Sequence, residues 1–103
     1  MPNKNYVKGR AFEYRIIAYL RERGYYVQRS YASKGVFDLL AIPPKKLINH
    51  RSLAIQAKNQ RGKLYITPAE RLQLSEASRK YNAHVCICYN DNGKMKWKLV
   101  NPF

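Results

Sequence analysis

"FDLLAIPPKKLINHRSLAIQAK", Phe37 to Lys58, holds two short strand-like runs that each carry polar side chains among apolar ones. In "FDLLAI" (37–42) the polar residue is Asp38, and Pro43-Pro44 stops the run. In "LAIQAKN" (53–59) Gln56 and Lys58 stand two apart, so on a strand they share one face, about 7 Å from each other. If the two runs pair, Asp38 lies beside them. An acid, an amide and an ammonium on one patch suit metal-dependent phosphodiester hydrolysis. A hard cation such as Mg²⁺ takes oxygen ligands, here Asp38, the Gln56 amide oxygen and a backbone carbonyl. The Lys58 ammonium then stabilises charge on the phosphorane or orients the attacking water. Each residue also has a plainer reading. Asp38 can cap a turn at a strand end, and Gln56 and Lys58 can be solvated residues of an edge strand.

Outward from this stretch the elements are well marked. "KGRAFEYRIIAYLRERG" (8–24) reads as a helix, with Phe12, Ile16 and Leu20 at i, i+4, i+8 and Gly24 placed to end it. "YYVQRSY" (25–31) reads as the first strand, followed by the small-residue loop "ASKG". The basic loop "KKLINHR" (45–51) joins the second and third strands. In "TPAE" Thr67 is an N-cap, Pro68 suits the first helical position and Glu70 completes a capping box. That spacing predicts a second helix to about Tyr81, with Leu74, Ala77 and Tyr81 at i, i+3, i+7. "AHVCICY" (83–89) and "KWKLV" (96–100), joined by "NDNGK", read as a hairpin. The expected fold is α/β, a mixed β-sheet flanked by helices in the order α-β-β-β-α-β-β, with residues 1–103 forming one domain.

Charge narrows the partners. Twenty Lys and Arg stand against six Asp and Glu, a net +14 on 103 residues. Such an excess destabilises a compact chain by self-repulsion unless a polyanion neutralises it, and nucleic acid is the leading candidate. A solvated basic surface is the bland alternative. The basic residues are dispersed rather than set on one amphipathic helix, which argues against a membrane surface. No apolar stretch nears the roughly 20 residues of a membrane span, and the N-terminus has no apolar signal core, so the cytoplasm is expected. Cys86 and Cys88 share a strand face without metal or redox spacing and read as buried core thiols. Neither His50 nor His84 has a partner at ligand spacing. Tyr25, Tyr26 and Tyr31 flank Arg29 and read as half-buried strand residues sooner than as base-stacking platforms.

The pattern of an acid in strand two, then Gln, any residue and Lys in strand three, resembles the signature of the restriction-endonuclease-like nucleases. "KGRAFEYR" (8–15) looks like the opening of archaeal Holliday-junction resolvases, in which Lys-Gly is followed four residues later by a catalytic Glu, here Glu13. "VQRSYASKGVFDLLA" (27–41) is similar to their second motif, and "LAIQAKNQRGKLYITPAERLQLSEASRKYNA" (53–83) to their third strand, basic loop and following helix. The resemblance spans about residues 4 to 100. It implies a structure-selective endodeoxyribonuclease that uses Mg²⁺, with Mn²⁺ expected to substitute, and resolves four-way junctions by paired cuts. Carried over residue by residue, it implies a catalytic set of Glu13, Asp38, Gln56 and Lys58, with Glu13, Asp38, Gln56 and the Ala57 carbonyl as metal ligands. Arg29 and Ser30 would approach a phosphate, and Lys34 and Gly35 would lie in a loop that moves onto the junction. Lys8, Arg10, Arg61 and Lys63 would add DNA contacts. The family is a symmetric homodimer whose second helix contributes the contact, here Leu74, Ala77 and Tyr81. No membrane and no small-molecule cofactor are implied.

Two departures stand out. The resolvases usually have Glu where this chain has Gln56, and many have Arg where it has Tyr14. A neutral Gln removes one negative charge and should weaken the hold on Mg²⁺. Gln at this position also resembles Mrr-like restriction endonucleases, so a duplex-cutting nuclease of the same fold is one rival. A non-catalytic junction- or RNA-binding protein on the same scaffold is another. Glu13 alone could simply pair with Arg10 or Arg21 on the helix surface.

Overall fold

The structure, a computed structural model, describes residues 4–30, 35–60 and 62–100. Helix α1 (Lys4–Glu22) precedes β1 (Tyr26–Arg29), β2 (Leu39–Ile42) and β3 (Leu53–Lys58); α2 (Pro68–Lys80) then leads to β4 (His84–Asp91) and β5 (Lys94–Leu99). The five strands form one sheet in sequence order, antiparallel throughout except for β3 and β4, which run parallel. A parallel pair needs a crossover, and α2 supplies it. The expected element order and mixed sheet are both present. Among the described residues no helix is long and apolar enough to cross a membrane.

Each helix covers one sheet face. Phe12, Ile16, Ile17 and Leu20 of α1 pack on Val27, Leu39, Ala41, Ile55, Cys86 and Cys88. Leu74 and Ala77 of α2 pack on Ala54, Val85 and Ile87. The alternation of side chains along β3 and β4 divides the two clusters, so odd and even positions serve opposite helices. Burial pushes both thiols up to about 12, which leaves them as inert core residues. Gly24, at φ 89, turns the chain out of α1, and a side chain there would meet Pro44 Cγ at 3.1 Å.

Several boundaries differ from expectation. Helix α1 starts at Lys4 rather than Lys8. The hairpin strands are longer than expected because the turn is only Asn92-Gly93, both at positive φ (54 and 89), which suits a two-residue type I′ turn. β2 starts at Leu39, so Asp38 lies just outside it.

Candidate active site

Asp38 is where the β2 ladder gives way to a side chain. Its backbone N–H still donates to the Ile55 carbonyl at 2.8 Å and its carbonyl accepts from Ser30 N–H at 2.8 Å. Its side-chain Oδ2 then accepts from the Ala57 N–H at 2.8 Å. The carboxylate is thus pinned to the outgoing end of β3. Leu39 faces Ile55, and one step further brings Asp38 level with Gln56. It neither caps a turn nor faces open solvent. Burial raises its pKa from the ordinary value; the Ala57 N–H bond opposes the rise, the nearby Glu13 charge adds to it, and Lys58 and Arg29 oppose it. Glu13, Arg29 and Lys58 therefore all lie within electrostatic reach of Asp38.

Gln56 and Lys58 are half-buried on the α2 side of β3 and not at a sheet edge, because β4 covers the strand's other flank. Both reach Glu70, in the first turn of α2. Gln56 Nε2 donates to Glu70 Oε2 at 3.4 Å, and Lys58 Nζ forms an ion pair with the same oxygen. The hydrogen bond and charge of Lys58 hold the Glu70 carboxyl below its usual value. Gln56 Oε1 is buried and has no hydrogen-bond partner among the described residues. A buried carbonyl oxygen is costly to leave unpaired.

On the α1 side, Glu13 pairs with Arg29 of β1 at 3.2 Å, a contact that reaches beyond its own helix. The guanidinium carbons of both Arg10 and Arg29 lie 5.8 Å from the Tyr14 ring centroid. Cations thus approach the position where the resembled family often places an Arg. Ser30 is half-buried beside Asp38, while Arg10 and Lys63 are exposed and Gly35 lies exposed in the loop before Asp38. Lys34 and Arg61 lie outside the described residues, as does the side chain of Lys8.

The second-helix contact needs correction. Leu74 and Ala77 are 1% and 5% exposed, packed under α2 in the chain's own core, so their side chains are not free for a second copy. An apolar i, i+3 stripe faces its own sheet first. Tyr81, at 53%, and Leu72, at 58%, are the exposed apolar groups of this segment.

Among the described residues no three His, Cys, Asp or Glu are grouped as a metal site. The donors gathered here are of another kind: one pinned carboxylate, one unpaired amide oxygen and the Ala57 carbonyl, with Glu13 behind them. All are hard oxygen donors, and an unpaired buried oxygen beside a carboxylate whose charge is disfavoured fits a divalent cation such as Mg²⁺.

A mixed five-stranded sheet with two helices in the order α-β-β-β-α-β-β is the arrangement of the restriction-endonuclease-like fold. The family model Hjc, archaeal Holliday junction resolvase, matches residues 4–103. The chain belongs to that family, whose members are nucleases acting on Holliday junctions. Among solved structures, Archaeoglobus fulgidus Hjc, a Holliday junction resolvase from an archaeal hyperthermophile, superposes with a TM-score of 0.71. It is 22% identical over 90% of this chain and 73% of that one, a likeness of fold. No curated protein matches.

In the sequence Glu70 reads only as part of a helix cap. Its position in the cluster is hidden because the eleven residues between it and Lys58 say nothing of how the crossover folds back over β3.

Proposed function

We propose that the protein is a Mg²⁺-dependent, structure-selective endonuclease that resolves four-way junctions by paired phosphodiester hydrolysis as a homodimer. The observation that carries the reading is Asp38, held against β3 by the Ala57 N–H beside Gln56 and its unpaired oxygen. Asp38, Gln56, Glu13 and the Ala57 carbonyl would hold the cation. When bound, it supplies charge stabilisation at the phosphoryl oxygens and a more acidic water. Lys58, fixed by Glu70, places an ammonium where negative charge grows on the phosphorane. Arg29, held by Glu13, and Ser30 bring donors to the same end of the sheet for a neighbouring phosphate. Lys8, Arg10, Lys34, Arg61 and Lys63 are read as contacts to the arms. Two symmetric cuts call for two sites, which a twofold dimer provides.

The test is cleavage of a synthetic four-way junction and of linear duplex, with and without Mg²⁺. Junction cutting that requires the metal is expected. Equal cutting of duplex would favour an Mrr-like activity, and binding without cutting under any divalent cation would make the chain a junction-binding protein.

A further inference from the structure

We infer that Glu70 is a positioning residue of this active site: from α2 it supplies the negative charge that Gln56 lacks, orients the Gln56 amide and holds Lys58. The inference rests on the nuclease reading of the site given above. A carboxylate can only accept hydrogen bonds, so the amide end that meets Glu70 must be the –NH₂. That contact fixes the otherwise ambiguous amide. The oxygen is left as the free end, and it is this oxygen that is buried without a partner among the described residues. Glu70 thereby turns a neutral side chain into a directed oxygen donor.

Charge leads to the same residue. Glu at position 56 would place a carboxylate on β3 itself. Here Gln56 is neutral, and the carboxylate stands one hydrogen bond further out, on the neighbouring helix. The Gln56–Glu70 pair carries the same single negative charge, and Lys58 pairs with it.

The bland alternative is that Glu70 is only the third residue of a capping box. Its Oε1 does accept from Thr67 N–H at 3.2 Å, and its own N–H donates to Thr67 Oγ1 at 3.1 Å. Capping, however, uses Oε1 and the backbone, whereas Gln56 and Lys58 both use Oε2. A Gln serves a capping box as well as a Glu. Glu70→Gln therefore keeps the cap through Oε1 while removing the charge and the Oε2 acceptor that Gln56 and Lys58 share, whereas Thr67→Ala weakens the cap and keeps the carboxylate.

The experiment measures binding of Mn²⁺ alone by calorimetry, thermal stability, and junction cleavage for the wild type, E70Q, T67A, Q56E and Q56E/E70Q. E70Q should melt near the wild type yet bind Mn²⁺ about 10- to 100-fold more weakly, the usual effect of losing a partner that orients a ligand. T67A should show the reverse, a lower melting temperature with Mn²⁺ affinity kept. Q56E should recover affinity in the E70Q background and gain little beside an intact Glu70, where two carboxylates would meet. Mn²⁺ affinity unchanged in E70Q would overturn the inference. So would a gain of about tenfold or more from Q56E alone, a measurement that does not depend on E70Q folding. A wild type that binds Mn²⁺ and loses it in E70Q but leaves junctions uncut would sink the proposed activity and keep Glu70. A wild type that cuts junctions while E70Q binds metal normally would do the opposite, and a wild type that binds no Mn²⁺ would overturn both.

Discussion

Asp38 shows at the scale of one residue how function and stability pull apart. Burial dominates its raised pKa, so the folded chain holds this proton to higher pH than the unfolded chain, whose reference value is 3.8. Stability is therefore lost as pH rises from that value through the raised one, and at neutral pH the ionised carboxylate works against folding. Asp38→Asn removes the charge while its amide oxygen can still accept from Ala57 N–H. The variant should melt higher than the wild type at neutral pH without divalent metal, and the gain should shrink as the pH is lowered. It should also lose junction cleavage while binding the junction as tightly or more so, since one charge repelling phosphate is gone. Melting curves across pH and a cleavage assay check both halves. A lower melting temperature would mean that the ionised carboxylate is better satisfied in place than its burial implies.

At the scale of elements, α2 has two jobs that one stripe of residues cannot share. Leu74 fills the core against Ala54, Val85 and Ile87, so Leu74→Ala should cost about 2–5 kcal/mol and destabilise the chain in urea whatever its oligomeric state. Tyr81, at the C-cap and half exposed, is the one of the three proposed contact residues whose side chain is not packed in the core. Tyr81→Asp should leave the melting temperature of the isolated chain nearly unchanged and yield monomers that nick one strand, seen by sedimentation and by the nicked-to-linear product ratio. A wild-type monomer at micromolar concentration would remove the dimer from the reading. The sequence announced these elements clearly, since period 3.6 in "FEYRIIAYL", the "TPAE" cap and the Asn-Gly turn are local signals. Asp38, just before β2, and Gln56 and Lys58 of β3 were legible too, because pairing of the two runs brings Asp38 level with Gln56. Three things were not. A stripe such as Leu74 and Ala77 does not say whether it faces its own sheet or a partner. Strand ends depend on where a side chain, here Asp38, replaces a backbone bond. The meeting of Glu70 with Lys58 depends on how α2 lies over β3, which no short motif encodes.

For the whole molecule, +14 is one quantity with two opposite salt responses. In the free protein the charges repel one another, and ions screen that repulsion within a Debye length of about 10 Å at 0.1 M salt. Raising salt from about 50 to 200 mM should therefore raise the melting temperature of the free protein. Junction binding should move the other way. Each phosphate neutralised releases condensed counterions and adds about −0.9 to the slope of log affinity against log salt on duplex DNA. Exposed Lys94, Lys96 and Lys98 form a row along β5, of which Lys96 already pairs with Asp91. Replacing Lys94 and Lys98 with Gln should flatten the slope by about 2 if both reach phosphate, and by about zero if they only keep the sheet edge from pairing. The wild-type slope decides the larger matter. A value shallower than about −3 would leave most of the excess charge without a role on DNA, and the nuclease reading would then rest on the Asp38 end of the sheet alone.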